Sequence, residues 1–439
     1  MPHPDPHPQP HHLLSACEAA EQLAQRSLRA EDLVRDCLAR IDAREAQVQA
    51  WSHVARDAAL ARARALDQGA HQGLLHGIPM GVKDLIATAD MPTGYGSSIY
   101  TGHQPANDAS CVALARAAGA VIMGKTVTTE FATFEPNQTR NPHNRAHTPG
   151  GSSSGSAAAV ADGMVPLALG TQTAGSLTRP AAYCGVVAFK PSFGGINRSG
   201  AKPLSDTLDT VGTLARNVPD AALLASALSG RADWLLRPLA QVLGRPLRVG
   251  LCRTYEWSHA LPETHTAMAQ AASLIGRADG MTVQDKRLPS DFEQLAQAQT
   301  HIQLFEQAQC LAYERLQHFE RLSPRLQGIM NAGMAVTVAQ YDLAQAWVAR
   351  CRAQLTEAFK DIDVLLAPSA PGAAPLGLDN TGDPIFCRIW TVLHTPTVNI
   401  PAGHAANGLP VGLQVVGPVG GDALALAAAH ALHRVLAAT

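Results

Sequence analysis

The chain has 439 residues, 46% of them hydrophobic, enough for a large core; its formal charge of −2 leaves no electrostatic footprint for nucleic acid or for an anionic membrane surface. Eight cysteines are scattered without a CxxC pair, which points to reduced thiols in a cytoplasmic protein and away from a disulfide frame or a zinc site. No apolar run reaches the length of a bilayer span.

The first residues, MPHPDPHPQPHH, alternate proline with polar side chains. Without a basic segment and an apolar segment they are not a signal peptide, and residues 1–12 are expected to be a disordered Pro/His-rich tail. From Ser15 to about Ala70 the spacing is helical, with Leu33, Cys37, Ile41 and Val48 on one face. HGIPMGVKDLIAT then reads as a buried strand, DASCVALARAAGA as a helix and VIMGKT as a second strand. A helix opens at Ser153, and MVPLALGT, GVVAFKP and PLRVGLC are further strands. Residues from about 221 to 360 form a mostly helical, variable region interrupted by strand-like MTVQDKRL. IDVLLAPS and LPVGLQVVGP are buried strands, and DALALAAAHALHRVLAA is the closing helix. Strands alternating with helices imply an α/β fold: a single large domain, residues 13–439, with a mixed, twisted sheet sandwiched between helices.

Gly119 to Thr126 matches the spacing of a phosphate-binding P-loop. The context is wrong for one. An alanine-rich helix precedes it, and the middle residues are apolar strand formers, so Gly119 reads as a helix end and VIM as core.

The chemistry concentrates in two serine motifs. TPGGSSSGS carries Ser152 to Ser154, and TQTAGSLTRP carries Ser176. Both serines sit on glycine-rich turns and neither motif contains histidine, which suggests a hydrolase whose nucleophile is activated without imidazole. Lys83, in the apolar stretch GIPMGVKDL, is the candidate base. An alcohol is a poor nucleophile near pH 7 without a positioned base. A lysine serves as that base only when neutral, so its pKa must fall about three units from ~10.4, equivalent to about 4 kcal/mol. Desolvation among Ile78, Met80, Val82 and Leu85 supplies a cause.

GVKDL, GGSSSGSAAA and GTQTAGSLTRPAAYCG together resemble the amidase signature family of serine hydrolases, and the resemblance runs from about residue 75 to the C-terminus. It implies the amidase signature fold and a triad of Lys83 as base, Ser152 as a bridging serine held on a cis peptide, and Ser176 as nucleophile. Ser152 relays the proton because a hydroxyl both donates and accepts. The backbone N–H groups of Thr173, Ala174, Gly175 and Ser176 are expected to form the oxyanion hole, aided by a helix beginning near Pro180. Ser154 is a candidate hydrogen-bonding neighbour of the site, and Tyr95 lies in the loop that lines the site in this family. Phe386–Trp390, with Arg388, is a further pocket candidate, and His147 is read as a loop residue.

Departures from the family bear on substrate. Many members carry an acid at position 172, glycine at 174 and arginine at 178; this chain has Gln172, Ala174 and Thr178, with Arg179 one place later. In this segment the chain looks most like the malonamidase type, whose arginine holds a substrate carboxylate. Arg179 therefore either binds such a group or pairs with a protein acid. The expected function is hydrolysis of the C–N bond of a small linear amide, with or without a free carboxylate, through an acyl-serine intermediate. The alternatives are a glutamine-hydrolysing amidotransferase A-type subunit and an allophanate- or carboxybiuret-type hydrolase. The three catalytic positions argue against a non-catalytic binding protein. The partner is a small-molecule amide, with no nucleic acid, membrane, cofactor or metal, and the Ala-rich helices suit a homodimer as readily as a monomer core.

Overall fold

A computed structural model of the chain describes residues 10–437. Eleven strands are described: β1 (Trp51–Val54), β2 (Pro79–Lys83), β3 (Val121–Thr126), β4 (Leu167–Gln172), β5 (Val187–Lys190), β6 (Thr210–Ala215), β7 (Leu247–Leu251), β8 (Met281–Asp285), β9 (Val364–Pro368), β10 (Thr397–His404) and β11 (Pro410–Val416). They form one mixed sheet in the order β1-β3-β2-β4-β6-β5-β10-β11-β9-β7-β8. β3, β2 and β4 run parallel, as do β9, β7 and β8, and the strands between them are antiparallel. Every residue of β2, β3, β4, β5, β6, β9 and β11 is buried, which is why they read as unbroken apolar runs rather than alternating ones.

Helices cover both faces. Ser154–Ala161 and Thr178–Cys184 pack together on one; Val218–Ser229, Pro262–Ile275 and Asp422–Leu436 form the layer on the other. The alanines of Ser154–Ala161 are small enough to let that helix lie close on the sheet, and Gly155 marks the tightest approach. A Cβ there would lie 2.1 Å from the Ala50 carbonyl oxygen and 2.4 Å from the Val127 nitrogen.

Two expectations need correction. The expected tail extends to residue 12, of which residues 1–9 lie outside the described part. His11–Leu13 instead forms a 3-10 turn, fixed by a 2.9 Å hydrogen bond from the His11 N–H to Asp36. β1, β6 and β10 also lie where no strand was expected. TVGTLA carries a glycine and TVNIPAGH a proline and a glycine, so their local preference is weak; pairing with β4 and β5 on one side and β5 and β11 on the other sets their conformation.

The P-loop spacing is occupied as anticipated from its context. Val121–Thr126 is a buried strand, and Lys125 turns inward to donate to Ile86 O at 2.7 Å and Thr93 Oγ1 at 2.6 Å.

Because β2 and β4 are parallel neighbours, with Val82 beside Leu169, their C-terminal ends emerge together. Lys83 is the last residue of β2 and Gln172 the last of β4, so the loops that follow meet at one edge of the sheet. Open α/β sheets bind ligands at this edge.

Candidate active site

Lys83 is completely buried, and its ammonium nitrogen donates to Ser152 Oγ and to Thr171 Oγ1, each at 2.8 Å. Burial drives its pKa well below the ordinary lysine value, and the charge of Asp209 acts in the opposite sense. Adjacent Asp84 is not its partner. That carboxylate faces Lys125 at 3.5 Å and accepts the Gly94 N–H.

Two other lysines are as deeply buried, and comparison separates them from Lys83. Lys190 is bonded to the carbonyls of Pro191 and Thr395, and Lys125 to a carbonyl, two hydroxyls and a carboxylate. Burial lowers both only to about 8. Carbonyls accept and never donate, so they demand a protonated or at least a donating amine. Both partners of Lys83 are hydroxyls, which can turn and donate to the lone pair of a neutral amine. The Lys83 environment thus accommodates both protonation states, as a base requires.

Ser152 is fully buried and follows a cis Gly151–Ser152 peptide bond. Its carbonyl accepts the Thr129 N–H at 3.3 Å. Ser176 lies close by in the backbone: the Ser153 N–H donates to the Ser176 carbonyl at 3.1 Å. Its side chain, 8% exposed, makes no hydrogen bond to any described residue. The structure therefore joins Lys83 to Ser152 directly and brings Ser176 alongside, without a hydroxyl-to-hydroxyl bond between the two serines.

The loop from Thr173 to Ser176 is held by its carbonyls and side chains, not by its N–H groups. Thr173 O accepts from Gln299 at 3.2 Å, Ala174 O from Thr391 Oγ1 at 2.8 Å and Gly175 O from the Arg179 N–H at 3.0 Å. Thr173 Oγ1 donates to Asp209 at 2.6 Å. The N–H groups of residues 173–176 find no acceptor among the described residues. Gln172 explains where this run of open donors ends. Its Oε1 accepts the N–H groups of Leu177 and Thr178, at 3.1 and 3.0 Å, while its Nε2 donates to Thr391 Oγ1 at 3.0 Å. The following helix starts at Thr178, before Pro180, and its first donors are already satisfied by this side chain. The open amides, not the helix end, are the donors available to an oxygen beside Ser176.

Arg179 is buried at 1% exposure. One nitrogen donates to Gly151 O at 2.7 Å and Thr381 Oγ1 at 3.2 Å; Nε and the other terminal nitrogen have no partner. It forms no ion pair with any described residue, so pairing with a protein acid is not what holds it. Ser154 accepts from the Asn137 amide at 3.0 Å, beneath Gly151. Tyr95 is not drawn into this cluster. It packs edge-on against Tyr100, with the Lys202 ammonium 5.8 Å from its ring, and its carbonyl accepts the Phe131 N–H. His147 bonds the Ala374 carbonyl and stays in its loop.

Thr171, Asp209, Gln299 and Thr391 also belong to the site and were not singled out from sequence. Thr171 stood in plain view in GTQTAGS; the other three come from distant segments and carried no local signal.

The sequence profile of the family described as Amidase matches residues 32–426. The chain is 36% identical to the A-type subunit of glutamyl-tRNA(Gln) amidotransferase from Anaeromyxobacter dehalogenans (strain 2CP-C), over 95% of each chain. It is 33% identical to the corresponding amidotransferase chain from Chloroflexus aggregans, over 97% of this chain and 96% of that one. A solved structure described as an amidase superposes with a TM-score of 0.88 at 31% identity, covering 96% of this chain and 100% of that one. The native peptide amidase from Stenotrophomonas maltophilia gives a TM-score of 0.84 at 29% identity, over 98% of both chains.

Proposed function

The chain belongs to the amidase family, and on that premise we propose that it hydrolyses a carboxamide bearing a free carboxylate, through an ester on Ser176, as a cytoplasmic enzyme. The observation that carries this reading is the 2.8 Å bond between a fully buried Lys83 and Ser152. In the proposed cycle Ser176 attacks the amide carbonyl, and its proton passes through the Ser152 hydroxyl to the Lys83 amine. The carbonyl oxygen becomes an oxyanion received by the open N–H groups of the 173–176 loop. The C–N bond then breaks as the proton returns through Ser152 to the leaving nitrogen, and water cleaves the ester by the same path in reverse. The scheme requires Ser176 to bond Ser152 when substrate arrives; catalytic hydrogen bonds commonly tighten at that stage.

The amidotransferase relatives favour glutamine as the amide, with the ammonia destined for a second protein. This is preferred over a malonamate-type hydrolase. The second reading keeps support from the one-place shift of arginine to Arg179, whose unpartnered nitrogens suit a carboxylate. Both substrates carry that group. Ammonia release from glutamine, malonamate and neutral primary amides, compared as kcat/KM, decides between them. Failure to release ammonia from any, together with no labelling of Ser176 by a fluorophosphonate in folded protein, overturns the enzymatic reading.

A further inference from the structure

The helix Ile385–Val392 lies directly against the nucleophile loop. Thr391 bonds the Ala174 carbonyl, and a Cβ on Gly175 would sit 2.8 Å from Pro384 and 3.0 Å from Cys387. Arg388 projects from this helix into the wall of a cavity of about 470 Å³ shared with Phe134, Tyr183, Asp383 and Pro384. One of its nitrogens is fixed by Gln299 Oε1 at 2.6 Å and Thr300 Oγ1 at 3.2 Å. Both are neutral acceptors, so they orient the guanidinium without cancelling its charge.

The charge of Arg179 acts on Arg388, the Arg179 guanidinium stands 6.0 Å from the ring of the cavity-lining Phe134, and neither arginine makes an ion pair with a described residue. The acid that acts on both, Asp383, is exposed and forms no salt bridge with either. A buried Arg179 behind Phe134 and a partly buried Arg388 in the cavity wall, neither in a salt bridge with Asp383 or any other described carboxylate, leave room for an anion from outside. Gln299 adds a link to the chemistry: fully buried, it holds Arg388 through its oxygen and the Thr173 carbonyl through its nitrogen.

We propose that Arg388 is a specificity-determining residue: with Arg179 it clamps the substrate's carboxylate in this cavity, and Gln299 ties that clamp to the loop that receives the oxyanion. This rests on the proposed amide hydrolysis and adds the residue that selects an anionic substrate. A planar, always-charged fork suits a carboxylate better than a point charge does.

The test is calorimetric titration in a Ser176→Ala background, so that binding is read without turnover. Malonamate, succinamate and glutaramate are each compared with the matching diamide, which differs only in replacing carboxylate by carboxamide. The parent should bind at least one acid about tenfold or more tightly than its diamide. Arg388→Gln should abolish the preference, weakening acid binding by about tenfold or more beyond any change in diamide binding, and Arg388→Lys should restore part of it. An unchanged preference in Arg388→Gln, or none in the parent for any pair, overturns the clamp. Failure of the hydrolytic reading shows separately, as absence of ammonia release by the protein with Ser176 intact.

Discussion

Lys83 and Ser152, 69 positions apart in the chain, share a 2.8 Å hydrogen bond in a setting without any carboxylate in contact with the amine. A buried lysine normally has an acid or a set of carbonyls to hold its charge; this one has two hydroxyls. That pairing makes the amine a candidate base rather than a structural cation.

Replacing Ser176 by alanine should lower kcat/KM by roughly 10⁴-fold or more and abolish fluorophosphonate labelling, because no second nucleophile takes its place. Ser152→Ala should cost about 10²- to 10⁴-fold, the range of a proton-transfer group, and leave labelling slow but present. Labelling of the Ser176→Ala protein at another serine would reassign the nucleophile.

The pH dependence follows from the lowered pKa of Lys83. Activity should rise as the amine loses its proton, with a midpoint well below the ordinary lysine value of 10.5. Stability has the same direction. Between the folded and unfolded pKa values the unfolded chain holds a proton that the folded chain does not, so folding is favoured as pH increases across that window. In Lys83→Met that contribution vanishes. The parent should gain on the variant by up to about 1.4 kcal/mol per pH unit within the window, measured by urea unfolding at several pH values. A constant difference would mean Lys83 stays charged in the fold.

Arg179→Ala should raise KM for carboxylated amides more than for neutral ones, as steady-state kinetics on matched pairs will show. Equal loss for both would leave Arg179 only its tie to the Gly151 carbonyl.

Gln172→Leu should destabilise the fold by about 2–4 kcal/mol, because two buried N–H groups lose their acceptor. Gln172→Glu keeps both acceptor bonds and should lose much less. Thermal unfolding of the two variants side by side checks this, and similar losses would refute the capping role.

Gly155→Ala should yield little folded protein. The added methyl meets the backbone of Ala50 and Val127, neither of which is a flexible side chain that can step aside. Soluble expression with a native circular dichroism spectrum would contradict this.

The strands that frame the site were legible because burial on both faces turns them into apolar runs, as in PMGVK and LALGTQ. Lys83, Ser152 and Ser176 were legible because their motifs are local. Asp209 and Gln299 were not, since each acts by reaching Thr173 across dozens of residues, and nothing in SDTLD or LAQAQT advertises that reach. Tyr95 shows the converse. The family resemblance placed it in a loop that lines the site, yet its ring packs edge-on against Tyr100, beside the apolar cluster that contains Phe131.

The four unengaged amides of residues 173–176 have a cost for the assayist. On the proposed reading these donors also accept a carboxylate oxygen of the acid left behind after the amine departs, though less tightly than the tetrahedral adduct. The released acid should therefore linger and compete, so progress curves will bend early, and only initial velocities will report the true capacity of the loop.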